Sequence, residues 1–298
     1  MRVPPGRSET NIPQAANSHE GGKTNMKNKY RYQFDLDGKV AIVTGGAGIL
    51  GQKFCAGLAD FGAKVAVIDL QEAAAMDVAA RLKAEFGVDS IGLACNVGDP
   101  LEVKSMVAKV EKRLGPVDIL HNNAATKGSD LSRFFRAPED FPLDVWREVM
   151  AVNLDGMFLV AQAVGARMAE RGKGSIIQTA SIYGVLGPDS RIYEGSEYLG
   201  RAINTPPVYS ASKAGVIGLT HYWATHWGSR GVRVNTLTPG GVESGQNAVF
   251  IQKYSSRVPL GRMAQAEEMV GALIFLASDA SSYITGHNIM IDGGLAAW

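Results

Sequence analysis

Tyr209 and Lys213 stand one helical turn apart in the string Y-S-A-S-K, with Ser181 upstream, and together they make a set able to move a proton on and off oxygen. In a helix, residues i and i+4 share a face, so the Lys213 ammonium is expected beside the Tyr209 phenol, favouring its ionised form. An unperturbed phenol titrates near pKa ~10 and is a poor base at neutral pH, which is why a neighbouring cation matters. The chemistry that suits such a set is acid–base transfer at a carbinol or carbonyl oxygen.

A second motif supplies a place for a redox partner. VTGGAGILG, Val43 to Gly51, follows a β-branched run and opens a helical pattern, so Gly46-x-Gly48-x-x-Gly51 sits in the context that gives the spacing meaning. Glycines there permit a tight turn, let the backbone approach a pyrophosphate and set a helix N-terminus against its charge. Asp69 ends the next strand, where a carboxylate accepts ribose hydroxyls and repels a 2′-phosphate; no Arg or Lys adjoins it, so NAD is expected rather than NADP.

The elements that must hold these residues alternate from Lys39 onward, short β-branched runs with amphipathic helices. Strands are expected at Val40–Thr44, Lys64–Asp69, Ser90–Asn96, Val117–Asn122, Gly174–Thr179, Arg233–Leu237 and Ile289–Ile291. Helices are expected at Gly51–Phe61, Ala73–Phe86, Pro100–Leu114, Leu143–Glu170, Val208–Ser229 and Gln265–Ser278. This predicts an α/β fold, a doubly wound seven-stranded parallel sheet forming a single domain over residues 35–298, with ligands at the carboxyl ends of the strands. Residues 126–142 and 187–207 exceed ordinary loop length and read as insertions lining a substrate site. Residues 1–34 are rich in Asn, Gly, Pro, Ser and Lys and read as a disordered extension, with Met26 a more ordinary beginning.

Composition narrows the function classes. The 298 residues are 46% hydrophobic and 20% charged, and Lys+Arg 30 against Asp+Glu 29 leaves a net charge of +1, which argues for neither nucleic acid nor an anionic membrane. No run approaches the length of a spanning helix, so no membrane is expected. Cys55 and Cys95 lack C-x-x-C spacing and read as reduced thiols of a cytoplasmic protein. His19, His121, His221, His226 and His287 form no ligand spacing, and no metal is expected.

From Leu36 to Trp298 the chain resembles the short-chain dehydrogenase/reductase family. The resemblance rests on TGGAGILG, Asp69, NNAA at Asn122–Ala125, Asn153 in V-M-A-V-N, Ser181, Tyr209 with Lys213, PGG at Pro239–Gly241 and the C-terminal ITGHNIMIDGG. It implies a Rossmann fold and an oxidoreductase using a nicotinamide cofactor on CH–OH groups. Tyr209 would be the acid/base, Ser181 would hydrogen-bond the substrate oxygen, Lys213 would bind the nicotinamide ribose, and Asn153 would support a water relay to Lys213. The cofactor-binding set is Gly45, Gly48, Ile49, Leu50, Gly51, Asp69, Leu70, Asn96, Val97, Asn123, Ala124, Ala125, Pro239, Gly240, Val242 and Ser244 with Tyr209 and Lys213. The substrate set is Ser181, Tyr183, Arg191, Arg201 and Gly241.

Four departures stand out. Gly48 lies one place earlier than the compact members' second glycine, which would fall at Ile49, and this spacing resembles the extended epimerases and dehydratases; the short chain after Leu237 leaves no room for their substrate domain. Asn96 stands for an Asp, and Ala125 for the last glycine of N-N-A-G. Ser181 and Tyr209 are more than twice the usual distance apart. Tyr193 lies at that usual distance, but Glu197 four residues later would raise its pKa, so Tyr209 is preferred as base; Tyr198 is followed at +4 by Ala202.

Charges in the insertions, Arg191 and Arg201 among them, point to a polar, sugar-like small-molecule substrate with a place for an anion. Short strings such as S-I-Y-G-V lean toward oxidoreductases of bacterial surface-sugar and flagellin modification. The alternatives are a nucleotide-sugar epimerase or dehydratase with tightly held NAD, and a nucleotide-binding regulator. Family resemblance and the aromatic run Tyr222, Trp223, His226, Trp227 imply a homotetramer or homodimer.

Overall fold

Near-continuous β-branched runs suit strands buried on both faces, and they assemble into one parallel sheet. The computed structural model describes residues 28–298. In chain order the strands are β1 (Val40–Thr44), β2 (Lys64–Asp69), β3 (Ser90–Ala94), β4 (Ile119–Asn122), β5 (Gly174–Thr179), a small hairpin β6 (Glu197–Tyr198) and β7 (Arg201–Ala202), then β8 (Val232–Pro239) and β9 (Asn288–Ile291). Seven of them form the sheet in the order β3-β2-β1-β4-β5-β8-β9, every pairing parallel. The order reverses between β1 and β4, which places the binding crevice at their carboxyl ends.

The helices are α1 (Ile49–Asp60), α2 (Glu72–Phe86), α3 (Pro100–Leu114), α4 (Leu131–Phe134), α5 (Leu143–Met150), α6 (Met157–Arg171), α7 (Pro207–Trp227), α8 (Ala248–Ser255) and α9 (Val270–Ala277). One core lies between the sheet and α3, α6 and α7, with Met106, Val160, Val164, Met168 and Trp227 buried in it. The other lies under α1, α2 and α9, with Phe54, Leu58, Val78, Leu82 and Leu273. Burying each such side chain contributes roughly 1.5–3 kcal/mol, so the two layers hold the sheet edges in place for the site.

Several boundaries differ from the sequence reading. β3 stops at Ala94 because the Asn96 N–H turns away to donate to Glu102 (2.8 Å) while its Oδ1 accepts from Gly98 N (3.0 Å). The single helix expected over Leu143–Glu170 contains a π-helical stretch at Ala151–Gly156. Leu143–Arg171 as a whole is long and apolar enough, by composition, to cross a membrane, contrary to the expectation; its Val160, Val164 and Met168 instead sit in the core of the fold. Of the extension expected over residues 1–34, residues 1–27 lie outside the described residues, and Tyr32–Phe34 forms a 3-10 turn with the Phe34 ring 6.5 Å from Phe275. Of the aromatic run taken to support association, Trp223 and Trp227 stack in the core at 4.2 Å, leaving Tyr222 and His226 exposed.

Both insertions are structured. The first carries α4 and a 3-10 turn at Pro138–Asp140; the second carries a 3-10 turn at Ser190–Tyr193 and the hairpin. The hairpin turns on Leu199 (φ 52°) and Gly200 (φ 72°), two positive-φ residues that match the right-handed twist of its strands. Asn204 ties the insertions together, its Nδ2 donating to the carbonyls of Phe135 and Arg136, each at 3.1 Å.

Candidate active site

The glycine turn after β1 is built for close approach. Gly45 has φ +64°, and a Cβ added to Gly51 would lie 2.0 Å from the Gly45 carbonyl oxygen. Gly48 is the N-cap, so Ile49, Leu50 and Gly51 form the first turn of α1 and present unpaired N–H groups to a cleft of about 910 Å³. The early glycine at Gly48 therefore starts the helix, and Ile49 lines the cleft where compact members carry glycine.

The cleft collects the whole expected cofactor set, from Gly45, Gly48, Ile49, Leu50 and Gly51 through Asp69, Leu70, Asn96, Val97, Asn123, Ala124 and Ala125 to Tyr209, Lys213, Pro239, Gly240, Val242 and Ser244. Asp69 Oδ2 accepts from Ala47 N at 3.0 Å, locking the end of β2 to the glycine turn. The N-N-A run is held by Thr44, whose hydroxyl accepts from Asn123 N (2.9 Å) and Ala124 N (3.0 Å), so part of that motif joins β4 to β1. A flexible dinucleotide fits this shape: backbone without side chains at the pyrophosphate, a carboxylate at the ribose.

Tyr209 and Lys213 lie on the first turns of α7, and Ser181 caps the 3-10 turn Ile182–Gly184 after β5. Burial raises the Tyr209 phenol above its ordinary pKa, while the hydrogen bond with Ser181 opposes the rise. Lys213 is fully enclosed, and burial lowers its pKa to about 8. Lys213 Nζ donates to the Thr179 carbonyl at the end of β5 (2.9 Å). Asn153 sits in the π-helical stretch, outside the cleft lining; its Oδ1 accepts from Thr126 N at 2.7 Å and its Nδ2 donates to Thr126 O at 3.2 Å. The widened turn thus fixes the chain entering the first insertion.

A second chamber of about 200 Å³ opens on the other side of Ser181 and Tyr209. Tyr183 and Gly241 line it as expected, joined by Tyr193, Thr205, Tyr254 and Lys127. Arg191 and Arg201 are elsewhere. Arg191 is exposed and forks onto Asp189 at 2.8 Å through both Nε and Nη2, and Arg201 is exposed on the hairpin. Among the described residues the cation lining this chamber is Lys127, its ammonium 4.0 Å from the centroid of the Tyr198 ring and also lining the cleft. The reason given against Tyr193 also changes: Tyr193 ends its 3-10 turn before Glu197 begins β6, and its phenol is raised by burial. Tyr254, on α8, was not found from sequence; its hydroxyl accepts from Gly241 N at 2.5 Å, and burial raises it to about 12.

A family model described as enoyl-(acyl carrier protein) reductase matches residues 46–296. A short-chain type dehydrogenase/reductase from Mycobacterium marinum superposes with TM-score 0.78 at 32% identity, covering 90% of this chain and 99% of that one. The chain belongs to the short-chain dehydrogenase/reductase family. It is similar to the D-threitol dehydrogenase of Mycolicibacterium smegmatis, 37% identical over 268 residues, which span 88% of this chain and 95% of the relative. It is also similar to a gluconate 5-dehydrogenase from Burkholderia cenocepacia in complex with NADP and tartrate, at TM-score 0.78 and 34% identity over 89% of this chain and 98% of the other. As a short-chain dehydrogenase/reductase, the protein is an NAD(P)-dependent oxidoreductase. Its described residues form a single domain around one seven-stranded parallel sheet.

Proposed function

We propose that the protein is an NAD-linked dehydrogenase interconverting a secondary alcohol and ketone in a polyol or sugar-derived substrate, with Tyr209 as acid/base. One observation carries the reading: Ser181 and Tyr209 form the wall shared by the dinucleotide cleft and a small hydroxyl-lined chamber. Ser181 offers a hydroxyl to the reacting oxygen. Tyr209 as the neutral phenol, the form its burial favours, gives that oxygen a proton in reduction; in oxidation the phenolate, formed by loss of that proton to solvent, takes the proton of the alcohol. A bound nicotinamide supplies the hydride exchange. Lys213 keeps the end of β5 in place and has further N–H donors for ribose hydroxyls; Asn153 fixes Thr126 and with it Lys127. An anionic end of a substrate would meet Lys127 rather than the two arginines. The threitol and gluconate relatives act on polyhydroxy chains by their names, which supports this substrate class.

For the cofactor, Asp69 favours NAD. Its neighbours along the cleft are Leu70, Gln71 and Ala74, and among the described residues none of these is a cation to meet a 2′-phosphate. Asp69→Ala should weaken NAD and relax discrimination against NADP by about tenfold or more in kcat/KM, measured with both cofactors at equal concentration. Faster turnover of wild type with NADP than with NAD contradicts this assignment.

We also place the protein in the cytoplasm as a homodimer or homotetramer, with no nucleic-acid or membrane partner. Two free, buried thiols suit a reducing compartment, and the Tyr222–His226 stack (5.7 Å, 12° between planes) lies exposed on α7 as a surface for a second copy. Light scattering at micromolar concentration should give a multiple of the chain mass; the mass of one chain overturns the association.

A further inference from the structure

Three hydroxyls in the substrate chamber form a chain for which the reaction has no use. Tyr193 Oη donates to Tyr183 Oη at 3.1 Å and shares a hydrogen bond with Thr205 Oγ1 at 2.5 Å. Tyr183, Tyr193 and Thr205 all line the chamber beside Ser181 and Tyr209. Three hydroxyls carry three protons, and two links use two of them. Because Tyr193 gives its proton to Tyr183, Thr205 must be the donor to Tyr193, and the proton left over is that of Tyr183. No protein acceptor among the described residues takes it. Each link also polarises the next, so the terminal O–H is a stronger donor than an isolated phenol.

The chain is rigid and stays protonated. The Tyr193 ring stacks on Phe250 at 6.0 Å, and Phe250 stacks on Tyr254 at 5.7 Å. Tyr183 N donates to Ser181 Oγ at 3.3 Å, which ties the free phenol to the residue that meets the reacting oxygen. Burial raises both the Tyr183 and Tyr193 phenols, so neither ionises at neutral pH. The 187–207 insertion, which supplies Tyr193 and Thr205, thereby gains a purpose that its arginines do not serve.

We propose that Thr205, Tyr193 and Tyr183 form a directed hydroxyl relay in which Tyr183 donates to a second oxygen of the substrate, beside the one that reacts. Tyr183 is the contact and specificity residue; Tyr193 and Thr205 are positioning residues acting through it. The proposal rests on the polyol reading above and narrows it, since a substrate with one oxygen only would leave a buried donor unpaired.

The test compares D-threitol with butane-1,2,4-triol, which keeps one secondary alcohol and the C1 hydroxyl beside it and lacks only the second secondary hydroxyl, the oxygen assigned to Tyr183. Wild type should favour threitol by about tenfold or more in kcat/KM. Tyr183→Phe should erase that preference mainly through KM. Tyr193→Phe and Thr205→Val should reduce it several-fold alone and add nothing in the Tyr183→Phe background, because residues acting through one contact are not additive. Thermal midpoint and NADH affinity serve as folding controls. Equal use of the two alcohols by wild type, equal losses on both in the variants, or additive losses in the double variants overturn the relay while leaving the dehydrogenase reading intact. No NADH from either alcohol overturns the relay as assigned to a four-carbon polyol, while the dehydrogenase reading is tested separately over a wider range of polyols and sugar acids.

Discussion

Tyr209→Phe is expected to lower kcat by about 10²–10⁴-fold while NADH affinity stays within a factor of about two, since the change removes the proton carrier and little else. The phenyl ring keeps the contacts of Tyr209 at the start of α7, and Ser181 and Lys213 keep their own partners in Tyr183 N and Thr179 O. Tyr193→Phe provides the contrast: its hydroxyl is engaged with Tyr183 and Thr205, so kcat should survive. Steady-state kinetics with a fluorescence titration of NADH separates the outcomes. A Tyr209→Phe enzyme within about fivefold of wild type in kcat, or an equal collapse in Tyr193→Phe, removes Tyr209 from the reaction.

Gly51→Ala should do comparable damage one step earlier, at cofactor binding. The new Cβ would stand 2.0 Å from the Gly45 carbonyl and 2.8 Å from Gly46 Cα, both backbone atoms, so the turn itself must open. Opening it displaces the first N–H groups of α1 from the position that receives a pyrophosphate. We expect NADH affinity to fall by about thirtyfold or more, with a lower thermal midpoint from the strained turn. Gly271→Ala is the matched control, because that glycine lies in α9 with open space around it and the substitution should if anything stabilise the helix. Unchanged NADH affinity in Gly51→Ala contradicts the assignment of the turn.

What the sequence disclosed follows from the range of the interactions involved. β1 and β2 match their expected bounds because strands buried on both faces must be largely apolar, a local signal; β5 matches on Ile176 and Ile177 between polar neighbours. The cofactor cleft was legible for a similar reason: the glycines at Gly45, Gly48 and Gly51 are constrained by one turn, and Asp69 by the end of one strand. On the substrate side only Ser181, Tyr183 and Gly241 were legible, because the rest depends on where two insertions travel. Arg191 looked available until Asp189 claimed it, Lys127 reaches the chamber by lying over Tyr198 from the other insertion, and Tyr254 arrives on α8 with no motif around it. The i,i+4 spacing of Tyr209 and Lys213 fixed their shared helix but not the acceptor; the Thr179 carbonyl, a tertiary neighbour, takes the ammonium. The π-helical stretch at Ala151–Gly156 was hidden in an unbroken apolar pattern and is explained only by what Asn153 holds, the backbone of Thr126.

The central claim is that a bound polyhydroxy alcohol loses hydride to NAD and that the reduced cofactor leaves as product. It is tested most directly by following NADH fluorescence, with product analysis, over a panel of polyols, sugar acids and sugar nucleotides. NADH release in equal amount to ketone formed is expected with at least one polyol or sugar acid, and loss of that signal in Tyr209→Phe. Conversion of a sugar nucleotide without net NADH, or no NADH from any member of the panel at saturating NAD, would contradict it.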